Sequence, residues 1–98
     1  MKPEMIKKLV LPACKKFNVK RLDIFGSVAR GEEKEIQDLD FLVEFDKPDQ
    51  RLSKRFFGLL HTLEDLFNRP IDLVTTSAIK NPYFRDRIMD ERKNLYEG

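Results

Sequence analysis

Apolar residues at Met5, Ile6, Leu9, Val10, Ala13, Cys14 and Phe17 recur every three or four positions, with Lys7, Lys8, Lys15 and Lys16 mostly between them. That spacing predicts an amphipathic helix over 3–17. Pro12 lies inside the pattern, and because proline lacks a backbone donor and crowds the preceding turn, a kink or division is expected, with a break near Leu11. Asn18 suits a left-handed C-terminal cap, with Val19 packing back on the last turn.

The period then changes. Arg21 to Phe25 alternates as a short strand, with Leu22 and Ile24 on one side and Asp23 and Phe25 on the other. Gly26 ends it, Val28-Ala29-Arg30 supplies a single helical turn at most, and Gly31 opens a charged loop through Gln37. The second strand spans 39–45, with Leu39, Phe41, Val43 and Phe45 on the core side and Asp40, Leu42 and Glu44 on the other. Asp38 stands just ahead on that second face. The loop between the two strands suits antiparallel pairing.

Leu52, Phe56, Leu59, Leu60, Leu63, Leu66 and Phe67 predict the longest helix. Phe56 and Phe57 are expected in the core rather than as a base-stacking platform. His61 falls toward the polar edge, within reach of Glu64 or Asp65. Asn68-Arg69-Pro70 stops that helix, and a third strand over 71–75 follows by a crossover that makes it parallel to the second. Asn81-Pro82 caps a final helix with Phe84, Ile88, Met89 and Leu95 on its apolar face, unless Leu95 and Tyr96 leave it as a short extended end.

These elements fill one domain over 1–98, and 41% apolar with 37% charged residues suits a small folded globule. Cys14 is alone, so a disulfide framework is excluded, and its place on the helix's apolar face makes it a core residue. A reducing, cytoplasmic setting is expected, with no leader and no membrane-spanning run.

Charge is uneven. Residues 1–22 carry seven Lys or Arg against one acid, 23–49 carry three against nine, and 50–98 carry nine against seven. An acidic centre suits a cation site and argues against direct nucleic-acid binding. Glu32, Glu33 and Glu35 are explained as solvated loop charges; Asp38 and Asp40 are not.

One residue separates Asp38 from Asp40, so on a strand their side chains leave the same face, with alpha carbons about 6.5 Å apart. Both can reach one hard cation or bridge two, and Mg²⁺ favours carboxylates together with phosphate oxygens and water. A strand ending in Gly26-Ser27 and turning into a short helix can aim backbone N–H groups and a hydroxyl at a phosphate. If the third strand lies beside the second, Asp72 completes a three-carboxylate constellation and serves the attacking nucleophile as ligand or general base.

Gly26-Ser27, ten residues, then Asp38-Leu39-Asp40 resembles the signature of the DNA polymerase β-type nucleotidyltransferase superfamily. GSVARGE followed by DLDFLVEF resembles its minimal nucleotidyltransferase (MNT) branch, and the likeness covers nearly the whole chain. Gln37 departs from the Ser often found before the first Asp. The resemblance implies an α+β fold, a minimal palm-like domain with a small mixed sheet flanked by helices. It implies two Mg²⁺ ions at Asp38, Asp40 and Asp72, triphosphate contacts from Gly26 and Ser27, and ATP as the substrate. Arg30 would be either a phosphate partner or the pair of a loop acid. The implied reaction moves NMP, chiefly AMP, to a hydroxyl. Larger members carry extra domains for the acceptor, so here another protein would hold it, and the resemblance implies a tyrosine of a HEPN-type toxin, with this chain as antitoxin. The alternative is a non-catalytic binding module that neutralises its partner by contact. An RNA-binding accessory role is a third reading, drawn from the basic first helix.

Overall fold

The computed structural model describes residues 2–32 and 38–98. The elements run α1 (Pro3–Lys16), β1 (Val19–Phe25), α2 (Gly26–Ala29), β2 (Leu39–Phe45), α3 (Leu52–Phe67), β3 (Ile71–Thr75), a 3₁₀ turn (Thr76–Ala78), α4 (Pro82–Glu91) and β4 (Lys93–Glu97). The four strands form one sheet in the order β3-β2-β1-β4. β1 is antiparallel to both β2 and β4, and β2 is parallel to β3.

The alternation in β2 decides the layering. Its odd-numbered residues, Leu39, Phe41, Val43 and Phe45, are buried with Leu22 and Ile24 of β1, Ile6, Val10, Ala13 and Cys14 of α1, and Leu59, Leu63 and Phe67 of α3. Phe41 is fully buried, with its ring 6.0 Å from that of Phe67. Truncation of such a ring to Ala costs roughly 3–5 kcal/mol. The even-numbered face is not wholly polar. Leu42 joins Phe25, Ile79 and Ile88 in a second, smaller core under α4.

Several expectations are corrected. α1 is continuous past Leu11, with Pro12 inside it. Pro12 and Lys8, whose carbonyl loses its donor, both face solvent, where a missing bond costs least. Of the two readings of the C-terminus, the extended end holds and the helical one does not: α4 stops at Glu91, and Leu95 is buried from strand β4. Phe57 is 52% exposed, so only Phe56 of that pair packs against the core. The loop residues 33–37, Gln37 among them, lie outside the described residues. Asn18 takes the expected left-handed conformation, φ 54°, and Asn68 caps α3 in the same way, φ 51°.

Two polar groups tie the frame together. Asp23, only 1% exposed, accepts from Arg21 Nε at 3.0 Å, Arg92 Nη1 at 3.3 Å and Asn94 Nδ2 at 3.1 Å, fastening β4 to β1. Arg55 of α3 donates to the backbone carbonyls of Phe17, Asn18, Asp46, Lys47 and Gln50 and lies over the Phe45 ring. Among the described residues, no helix is long and apolar enough to cross a membrane.

Candidate functional site

β1 ends where Phe25 pairs with Asp40, and the chain must turn there onto α2. Gly26 makes the turn at φ 76°, a left-handed conformation that side chains rarely adopt. The space is equally exclusive, since a Cβ at this position would sit 2.3 Å from Asp40 Oδ2. Val28 and Ala29 bury the inner side of α2, which leaves Gly26 and Ser27 half-buried at the mouth of a pocket.

On β2 and β3 the parallel ladder sets Asp40 directly beside Asp72. Both side chains leave the sheet on the α4 side and line an open pocket of about 290 Å³ with Gly26, Ser27 and Arg30. Phe84, Arg87, Ile88 and Glu91 of α4 form its other wall. Asp38 precedes β2, is exposed, and stands outside that lining. Of the six residues singled out in the sequence, the structure therefore gathers five, and the charge of the sixth, Asp38, acts on Asp40. A larger cleft of about 540 Å³ opens elsewhere, with Lys20, Glu44, Lys47, Thr75 and Arg85 in its walls, and holds none of the six.

The electrostatics centre on Asp40. Burial, followed by the charges of Asp72 and Asp38, pushes its carboxyl up to about 6, against a smaller opposing pull from Arg30. A carboxylate so placed calls for positive charge, either a proton or a cation. Among the described residues, no three His, Cys, Asp or Glu side chains are drawn close enough to enclose an ion by themselves. A hard cation here would complete its shell with substrate oxygens and water, the habit of Mg²⁺, and the all-carboxylate donor set fits that ion.

Arg30 takes the loop-acid pairing, one of the two readings the sequence leaves open. Its Nε and Nη2 donate to Glu32 of the following loop at 3.3 and 3.2 Å, while it also lines the pocket. Its Nη1 donates to Glu91 at 3.0 Å. Phe84, expected on the apolar face of the last helix, is 49% exposed in the pocket wall. Arg87 and Glu91 were not singled out at all. The available signal was their spacing, since 84, 87, 88 and 91 fall on one helix face.

Known proteins resemble this chain in sequence and fold. The nucleotidyltransferase domain family matches residues 6–95. MJ0435, a candidate protein adenylyltransferase of Methanocaldococcus jannaschii, is 40% identical over 86 residues, covering 88% of this chain and 89% of its own. A solved structure of a candidate minimal nucleotidyltransferase superposes with a TM-score of 0.77 at 32% identity, covering 95% of both chains. The structure of a tri-AMPylated Shewanella oneidensis HEPN toxin with its MNT antitoxin aligns with a TM-score of 0.64, 98% of this chain covering 73% of the other. At 14% identity, that likeness shows the fold alone.

Proposed function

The chain belongs to the nucleotidyltransferase domain family, and on that premise we propose that it transfers AMP from ATP to a hydroxyl of a partner protein. The observation that carries this reading is the register pairing of Asp40 with Asp72 beneath the Gly26 turn. Asp38, Asp40 and Asp72 would hold the cation. Bound there, Mg²⁺ supplies charge neutralisation on the triphosphate and a lowered pKa for the attacking hydroxyl.

The chain's own groups do the rest. Gly26, having no side chain, lets phosphate oxygens approach the backbone, and the Ser27 hydroxyl donates to them. Asp72, the more exposed of the ladder pair, faces the incoming acceptor and takes its proton. The acceptor oxygen forms a bond to the α-phosphorus as the bond from that phosphorus to the bridging oxygen breaks, and pyrophosphate leaves. Alignment and preorganised charge provide the acceleration.

The relative named as a protein adenylyltransferase and the AMPylated HEPN toxin of the structural neighbour support a HEPN-type protein as acceptor and an antitoxin role. The test is incubation with adenine-labelled ATP, Mg²⁺ and the protein encoded by the adjacent gene. Label should appear on that protein and be lost with D38A/D40A. Equal labelling by the double variant would reject the reading, and silencing of the partner by that variant without nucleotide would favour the contact-only alternative.

A further inference from the structure

The pocket has an acidic pole on the sheet and a second pole on α4 where two guanidinium groups share one carboxylate. Glu91 accepts from Arg30 Nη1 through Oε2 at 3.0 Å and from Arg87 Nε through Oε1 at 3.2 Å. All three side chains line the pocket that holds Asp40 and Asp72. Arg87 and Glu91 are four residues apart on α4 and so share its face. A carboxylate that gives one oxygen to each of two guanidinium groups offers them the contact a phosphate would offer, with less charge.

Building on the nucleotide chemistry above, we propose that Glu91 stands in for phosphate, holding Arg30 and Arg87 at the pocket's edge and yielding both to an incoming triphosphate. Arg87 is then a phosphate ligand, and Glu91 sets the affinity of the empty site. The charge balance requires the exchange. Glu91 adds a carboxylate to a pocket that already holds Asp40 and Asp72, so it opposes a polyanion for as long as it stays. Its side chain is 20% exposed in the last turn of α4 and can swing into water. Glu32 keeps the other edge of Arg30, which leaves Nη1 as the group that exchanges. Arg87 is 68% exposed, and among the described residues only its Nε is engaged, so both Nη groups can meet phosphate oxygens.

Inorganic tripolyphosphate with Mg²⁺ is the probe, because it carries the phosphates without base or sugar. Calorimetric titration at fixed ionic strength should give binding by the wild-type chain, about 3- to 10-fold tighter binding by E91Q, and about ten-fold weaker binding by R87A. E91Q should also help less in the R87A background. Unchanged or weaker binding by a folded E91Q would overturn the proposal, and so would unchanged binding by R87A alone. If the wild-type chain binds and D40N does not, while E91Q and R87A both match wild type, only this proposal fails. If the wild-type chain does not bind tripolyphosphate at all, the nucleotidyl-transfer reading fails with it.

Discussion

Asp40 and Asp72 are direct neighbours across the parallel β2–β3 ladder, two carboxylates on one face of the sheet. Burial first, then the charges of Asp72 and Asp38, hold the Asp40 carboxyl near 6. The folded value exceeds the unfolded one, so between roughly pH 4 and 6 the folded state binds more protons than the unfolded state. Stability from this group is complete below the unfolded value and is lost as pH rises through about 6. In EDTA, wild-type stability relative to D40N should therefore fall between about pH 4 and pH 6 and level off above that. Thermal unfolding of both proteins across that range measures it, and parallel curves would show that folding does not raise the Asp40 carboxyl.

Gly26 combines a left-handed backbone with a close approach to Asp40. G26A is expected to cost about 1–2 kcal/mol of stability from backbone strain. Its effect on ATP binding should be larger, since the new methyl displaces the Asp40 carboxylate. Comparing urea midpoints with ATP affinity separates the two, and wild-type affinity in a folded G26A would refute the fit.

Asp23 anchors the final strand. D23A should destabilise the protein by about 2–4 kcal/mol, because it strips Arg21, Arg92 and Asn94 of their shared acceptor. The signature is local. Amide exchange in Lys93–Glu97 should accelerate more than in β2, whereas uniform acceleration would mean that Asp23 serves the whole sheet rather than β4.

Arg55 spans five carbonyls from two connecting segments. R55A is expected to lose about 2–3 kcal/mol, and R55K to recover less than half, since a single ammonium cannot reproduce the planar fork. Chemical denaturation of the pair checks this, with full recovery by R55K as the contrary result.

Much of this architecture was legible in the chain itself. The strict alternation from Leu39 to Phe45 set the face of β2, and the helical stripe from Leu52 to Phe67 between two strands required the parallel crossover that brings Asp72 to Asp40. What escaped depends on tertiary partners. The sequence leaves Lys93–Glu97 open between a helix end and an extended end, and the edge of β1, with Asp23 accepting from Asn94, decides for the strand. Pro12 is tolerated because it faces solvent, which periodicity alone did not reveal. Phe84, Arg87 and Glu91 carry no motif, and their role arises from α4 crossing over the sheet above two aspartates.

The reading of Asp40 and Asp72 as a cation-dependent triphosphate site is tested most directly by calorimetric titration of ATP into the wild-type chain, D40N and D72N, each with Mg²⁺ and with EDTA. Saturable binding by the wild-type chain only with Mg²⁺, weakened about ten-fold or more in either variant, is the expected result. Equal ATP binding in EDTA, or undiminished Mg²⁺-dependent binding by D40N and D72N, would contradict it.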